Sequence, residues 1–183
     1  MKDGLEIERV WLLRGLPQLP ADHAVWKLEQ GYLVSGTAEA AGGDPRAPEG
    51  RLRRTLLPDG REEFHFNTKR GTGLIRQERE EAIDSVTFEK WWGQTIGRRL
   101  RKLRHRVGDG PLTWEIDEFL DLPLVLAELE LPAADCPVCI PSWLEGWILH
   151  EVTHDPSYRN FNLAARGMPS SPSAATIENR ASL

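Results

Sequence analysis

The chain is short of most features that would settle its class at a glance. Of its 2 cysteines, Cys136 and Cys139 form one pair that lacks the second half of a zinc site. They sit between prolines rather than in a strand-then-helix redox motif, and read as incidental thiols in a reducing compartment. No apolar run approaches the roughly 20 residues needed to cross a bilayer. Met1 to Glu8 carries acidic side chains and no apolar signal-peptide core, so a cytoplasmic location without membrane association is expected. His150 and His154 stand four apart, but Glu151 follows His150 directly, which is not metalloprotease spacing. Net positive charge is absent too: the formal value of −5 gives no strong nucleic-acid signal. No repeat of fixed period is visible. Lysine is scarce, with 5 among the 23 basic residues. Arginine's fork of donors suits carboxylate and phosphate, although coding bias produces the same excess, so each arginine is judged by position.

What is present fits one soluble domain. The 183 residues, 40% hydrophobic and 28% charged, are enough for a core that needs no disulfide or structural metal. Strand-like segments run over Leu5–Leu13, Gly31–Val34, Arg51–Leu57, Glu63–Lys69, Leu74–Glu80, Arg98–Val107, Leu112–Phe119 and Leu124–Leu131. Pro58-Asp59-Gly60 and Gly108-Asp109-Gly110 supply hairpin turns. His23–Glu29, Ser85–Trp92, Trp143–Trp147 and Pro156–Ala165 read as short helices or tight turns, the second burying Val86, Phe88, Trp91 and Trp92. Ser35–Gly50, rich in Ala, Gly and Pro, reads as a mobile connection, and residues 167–183 as a disordered tail after a domain of residues 1–166. Hairpin-sized gaps with few helices exclude a parallel βαβ sheet and favour a closed antiparallel one.

The informative pattern is charge at a spacing of two, which places both members on one side of a strand. Glu6 and Glu8, Arg51 and Arg53, then Arg76, Glu78 and Glu80 follow it. So do Lys102, Arg104 and Arg106, Glu115 and Asp117, and Glu128 and Glu130. Any single pair is more often the wet face of a strand than a site. The set differs, because acidic and basic strands segregate and the acidic pairs lie in apolar surroundings such as Leu124–Leu131. Carboxylates there are costly unless a cation compensates them. A barrel bringing both signs inward would suit metal-bound phosphate: hard oxygen ligands for Mg2+ or Mn2+, guanidinium and ammonium groups for the phosphate oxygens.

Leu5-Glu6-Ile7-Glu8-Arg9, Gln30-Gly31-Tyr32-Leu33, Lys69-Arg70-Gly71, Trp114–Phe119, Ala127–Leu131 and Val152–Ala164, in this order, resemble the CYTH domain of the triphosphate tunnel metalloenzyme superfamily. The resemblance spans residues 5–165. It implies a mostly β (α+β) fold, a closed tunnel of eight antiparallel strands with short helices packed outside, and Mg2+ or Mn2+ as cofactor. It implies catalytic roles for Glu6, Glu8, Lys69 and Lys102. Arg51, Arg53, Lys69, Arg76, Lys102, Arg104 and Arg159 would bind phosphate, and Glu6, Glu8, Glu115, Asp117, Glu128 and Glu130 would bind metal. Glu78, Glu80 and Asp155 are further tunnel residues.

The implied substrates are inorganic triphosphate, thiamine triphosphate or a nucleoside triphosphate, hydrolysed at a phosphoanhydride. Adenylate cyclase chemistry and metal-dependent binding without turnover are the alternatives, and a homodimer stays open. One departure bears on turnover. The family signature ends in a lysine two residues after its second glutamate, where this chain has Val10, on the Glu6–Glu8 face by alternation.

Overall fold

The computed structural model describes residues 2–33, 50–70 and 74–169 of the chain, with only the backbone for 2–5, 69–70 and 75–76. The expected mobile connection, apart from Gly50, and the expected tail beyond Pro169 lie outside the described residues. The fold is mostly β with few short helices. Among the described residues no helix is long and apolar enough to cross a membrane.

Nine strands form one antiparallel sheet. They are β1 (Lys2–Leu13), β2 (Ala24–Leu33), β3 (Gly50–Leu56), β4 (Glu62–Arg70), β5 (Ile75–Ala82), β6 (Arg99–Asp109), β7 (Leu112–Phe119), β8 (Val125–Glu130) and β9 (Ile148–Glu151). Their order is β5-β4-β3-β2-β6-β7-β8-β1-β9. The length of β1 lets it serve three neighbours: Lys2–Ile7 pair with β5, Glu8–Leu12 with β8 and Trp11–Leu13 with β9. The expected count of eight is therefore corrected to nine, because four residues after Trp147 extend along the end of β1.

A second correction concerns His23–Glu29, expected to be helical. Ala24–Leu33 is instead a strand between β3 and β6. Its burial alternates at the start and becomes continuous at the end, where Gln30 to Leu33 are all covered. A strand covered on both faces loses the period-two signal on which a sequence reading depends. The hairpins fall where expected: Gly60 and Gly110 take φ of 84° and 59°, the left-handed region that glycine enters without penalty.

Helix α1 (Ser85–Trp92) is capped by Asp84, whose side chain accepts a hydrogen bond from the Thr87 amide at 2.7 Å. It buries Phe88 with Leu33, Leu52 and Phe66, while Val86, expected inside, is exposed. Helix α2 (Ser142–Glu145) places Leu144 in the largest apolar cluster, with Trp11, Trp114, Ile116, Ala127 and Leu129. These strand residues alternate with the charged pairs, so the cluster lies on the opposite face of the sheet. A single turn of 3-10 helix (Pro156–Tyr158) leads into α3 (Asn160–Arg166). Val152, Tyr158 and Leu163 from this C-terminal segment pack with Leu100, Phe119, Leu124 and Leu126. Leu100, Phe119 and Leu126 share the parity of Arg104, Asp117 and Glu128 on their own strands. The charged face of the sheet thus has an apolar end, and the C-terminal segment covers it.

One tight contact fixes α1 against the sheet. A Cβ added at Gly31 would lie 2.5 Å from Thr95 Oγ1 and 2.7 Å from the Trp92 ring. Thr95 is held by Arg99 Nε, which donates to its hydroxyl at 2.8 Å. Gly31→Ala should therefore destabilise the protein by about 1–3 kcal/mol, as overpacking does. Urea denaturation measures this, and an unchanged midpoint would mean that the Trp92–Thr95 turn shifts freely.

A charged cavity as the candidate active site

The inner face of the sheet bounds a cavity of about 250 Å³. Glu6 and Glu8 of β1, Glu115 of β7 and Glu128 and Glu130 of β8 line it. Glu78 and Glu80 of β5 do so with Arg51 and Arg53 of β3. Arg104 enters from β6, and Asp155 and Arg159 from the C-terminal segment. Period-two alternation makes this possible, because each pair needs only one strand to bring both members to the same side. Among the described lining residues, eight carboxylates meet four arginines.

Arg104 is the centre of the acidic wall. Its Nε and Nη2 each donate to Asp117 at 2.7 Å, Nη2 also donates to Glu128 at 2.5 Å, and Nη1 bonds Glu115. All three guanidinium nitrogens are engaged. Asp117 is completely buried, and it also accepts a hydrogen bond from Lys102, which is 1% exposed. Burial alone would raise the Asp117 carboxyl, but Arg104 and Lys102 outweigh it and hold the pKa at about 2. Burial pushes the Lys102 ammonium down, with Asp117 opposing. The ionised state of the carboxylate is the better secured of the two, since two cations and three donor atoms support it.

The arginine wall is less satisfied. Arg53 donates to Glu80 at 3.0 Å, while Arg51 stands 3.9 Å from both Glu78 and Glu80. Burial, with Arg51 repulsion added, lowers Arg53 to about 10. Arg159 forms no ion pair within 4.0 Å among the described residues.

Most of the charged residues singled out in the sequence meet in this cavity, with two corrections. Lys102 does not line it and lies beneath, paired with Asp117; Asp117 is likewise enclosed, surrounded by cations. Both sit where the apolar end of the inner face begins, with the Lys102 ammonium 5.4 Å from the Phe119 ring. The side chains of Lys69 and Arg76 lie outside the described residues. Asn67 was not anticipated: it lines the cavity and bonds Glu78. Its place two residues before Lys69 on β4 carried that signal, but it bears no charge. Trp26 was hidden by the misread start of β2, and Tyr32, on a segment read correctly as strand, carries no charge to mark it.

The implied metal can be tested against these donors. Glu8 stands directly opposite Glu130, and Glu115 opposite Glu128. Like charges directly opposed on a sheet destabilise it unless a cation intervenes. Carboxylate oxygens are the donors that magnesium and manganese take. Among the described residues, however, no three potential ligands are gathered closely enough to hold an ion. Arg104 occupies the space between Glu115 and Glu128. The donor chemistry fits a hard divalent cation, with Glu6, Glu8 and Glu130 in the lining beside Glu115 and Glu128.

An antiparallel sheet enclosing carboxylates and arginines in one cavity defines a class of phosphate-handling fold. No family model matches the chain. It is 38% identical over 164 residues to an inorganic triphosphatase of Nitrosomonas europaea, covering 87% of this chain and 96% of that one. An inorganic triphosphatase of Acetivibrio thermocellus is 42% identical over 66 residues, 35% of this chain and 40% of that one. The crystal structure of the inorganic triphosphatase NE1496 superposes with a TM-score of 0.58 at 30% identity, over 90% of this chain and 97% of that one. The chain belongs to the CYTH, or triphosphate tunnel metalloenzyme, superfamily.

Asp117→Asn would leave the buried Lys102 ammonium without its carboxylate and loosen Arg104, and should cost roughly 3–5 kcal/mol at neutral pH. The native advantage is present above the ordinary carboxyl value of 3.8 and is lost as pH falls through about 2. Urea titrations at pH 7, 4 and 2.5 should show the gap between native and variant narrowing across that window. A gap independent of pH would place the stabilisation elsewhere.

Proposed function

We propose that this protein is a divalent-metal-dependent inorganic triphosphatase, acting inside a tunnel closed by strands β1–β8. Pairing of β5 with the first half of β1 supports closure, since it joins the two ends of that eight-strand order, with β9 left alongside. One observation carries the function: a single cavity sets the arginines of β3 and the C-terminal segment beside the carboxylates of β1, β7 and β8. The likeness to inorganic triphosphatases over nearly the whole chain supports the same reading.

In this reading Arg51, Arg53 and Arg159 hold the phosphate chain, and Arg104 joins them as its carboxylates engage a cation. Lys69 and Arg76 would add to this set. Glu6, Glu8, Glu128 and Glu130, with Glu115, would hold Mg2+ or Mn2+, which when bound supplies neutralisation of phosphate oxygens. Asp117 and Lys102 act from beneath, keeping Arg104 in place. The chemistry is attack of water on the terminal phosphorus, breakage of the P–O–P bridge and departure of pyrophosphate. Such a transition state needs positioning and charge stabilisation more than covalent help. A carboxylate of Glu6 or Glu8 accepts a hydrogen bond from the attacking water and orients it. A cytoplasmic setting, where triphosphate and magnesium are both at hand, belongs to the same proposal.

Purified protein should release phosphate and pyrophosphate from tripolyphosphate with magnesium or manganese, and stop on chelation. Arg53→Gln should lower kcat/KM by about a hundredfold, the scale for loss of a charge-stabilising donor, while manganese affinity stays unchanged. Glu130→Gln should do the reverse, weakening manganese binding measured by calorimetry, because arginine cannot ligate a cation. Absence of turnover with both metals would sink the assignment. Equal loss in both assays for both variants would sink the division of roles.

A further inference from the structure

Three buried donors on neighbouring strands have nothing to donate to. Among the described residues, Arg51 Nε, Arg53 Nε and Gln30 Nε2 are enclosed and have no hydrogen-bond partner. Buried polar groups are otherwise almost always paired, so three on one wall call for an acceptor. Gln30 is 1% exposed. It lies on β2 directly opposite Arg53, and its neighbour Tyr32 is opposite Arg51. Alternation puts Gln30 on the same face of β2 as Trp26 and Tyr32, which line the cavity. Gln30 itself, bonded to the lining residue Arg51, is enclosed and not part of the lining.

The amide has a defined orientation. Gln30 Oε1 accepts from Arg51 Nη1 at 3.4 Å, so the carbonyl end faces the guanidinium and Nε2 points away from it. Exchanging the two ends would set the NH2 group against a group that only donates, which chemistry forbids. The free end is therefore a donor, beside two arginines that carry positive charge and further free N–H groups.

We infer that Gln30 is a substrate-binding residue, whose side-chain NH2 donates to a phosphoryl oxygen held by Arg51 and Arg53. A phosphoryl group offers several acceptor oxygens in different directions, which matches donors converging from two strands. A neutral amide adds a hydrogen bond there without adding to the repulsion between Arg51 and Arg53. The inference rests on the phosphate-hydrolysing reading of the cavity, and it gives β2 a part in substrate binding that no charge pattern marks.

Gln30→Glu separates the possible roles. It retains the oxygen that accepts from Arg51 but removes the donor, at nearly constant shape. The probe is imidotriphosphate, a tripolyphosphate analogue whose P–N–P bridges resist hydrolysis, titrated by calorimetry with magnesium into the native protein and the variant. If Gln30 donates to the ligand, Gln30→Glu weakens binding by about tenfold to a hundredfold, the range for a hydrogen bond to a charged group. KM for tripolyphosphate then rises more than kcat falls. Unchanged affinity overturns the inference while leaving the phosphate reading intact. Because the glutamate also adds a negative charge, a loss of affinity supports the inference only together with a downfield NMR shift of the native Gln30 amide protons. Native protein that binds no imidotriphosphate overturns both. Should the variant fail to fold, the native protein still decides. The Gln30 side-chain amide protons, followed by nitrogen-edited NMR, move downfield on addition of the analogue if they donate to it. If they stay in place while the Arg53 Nε–H signal moves, the inference is wrong.

Discussion

Charges that face the inside of a sheet cannot rely on water, and every other feature of this molecule accommodates that condition. Arg104 is where it is met most fully, with three guanidinium nitrogens on three carboxylates of two neighbouring strands. Removing ions from water costs several kcal/mol each unless geometry and further hydrogen bonds compensate. Asp117 supplies that compensation for two cations at once, which is why it can be wholly enclosed and still ionised. On the acidic wall Arg104 reaches Glu115, Asp117 and Glu128, and on the arginine wall Arg51 Nε and Arg53 Nε have no acceptor among the described residues. The proposed metal-bound triphosphate would bring a cation to the first wall and acceptor oxygens to the second.

The same inner face changes character along its length. Leu100, Phe119 and Leu126 continue the strand positions that elsewhere carry Arg104, Asp117 and Glu128, so the inner face passes from polar to apolar at one end. That end is covered by Val152, Tyr158 and Leu163, and Tyr32 meets Phe161 edge-on with ring centroids 5.5 Å apart. The covering segment has two effects. Its apolar side chains pack on Phe119, whose ring lies 5.4 Å from the Lys102 ammonium. Its polar side chains, Thr153, Asp155, Arg159 and Asn160, reach the cavity itself. Most of the inner wall comes from strands, but the end of the site comes from the last 20 or so described residues.

Period-two alternation made the strands and most of the cavity legible, because one rule sets both which residues form a strand and which share its face. Glu115 with Asp117 and Glu128 with Glu130 illustrate this. It could not rank residues along a face. Asp117, expected among the metal ligands, differs from Glu115 by lying two residues nearer the apolar end, where it is buried and paired with Arg104 and Lys102. Lys102 is moved out of the cavity lining for the same reason. Where both faces are covered, as in the second half of β2, the alternating signal vanishes, and Gln30 goes with it. The ninth strand is too short and too exposed to announce itself, and is held by pairing with β1 and by the Arg9–Glu151 ion pair.

Val10 belongs to this boundary. It lines the cavity beside Glu6 and Glu8 and packs against the apolar end of the inner face. Its amide donates to Thr153 Oγ1 at 3.0 Å and its carbonyl accepts from the Val152 amide at 2.8 Å, so it anchors the covering segment. Directly across the sheet stands Glu128, the carboxylate that a lysine at this position would meet. That carboxylate already receives Arg104 at 2.5 Å, from two strands away. Arg9 is not the substitute, since it bonds Glu151 on the other side of the strand. The positive charge absent at Val10 therefore leaves no unpaired Glu128. If Glu128 binds a metal ion as proposed, Arg104 would have to release it, and the released guanidinium would be free for phosphate. In that reading, cation binding on β8 and phosphate binding on β6 would be parts of one event, linked through Arg104.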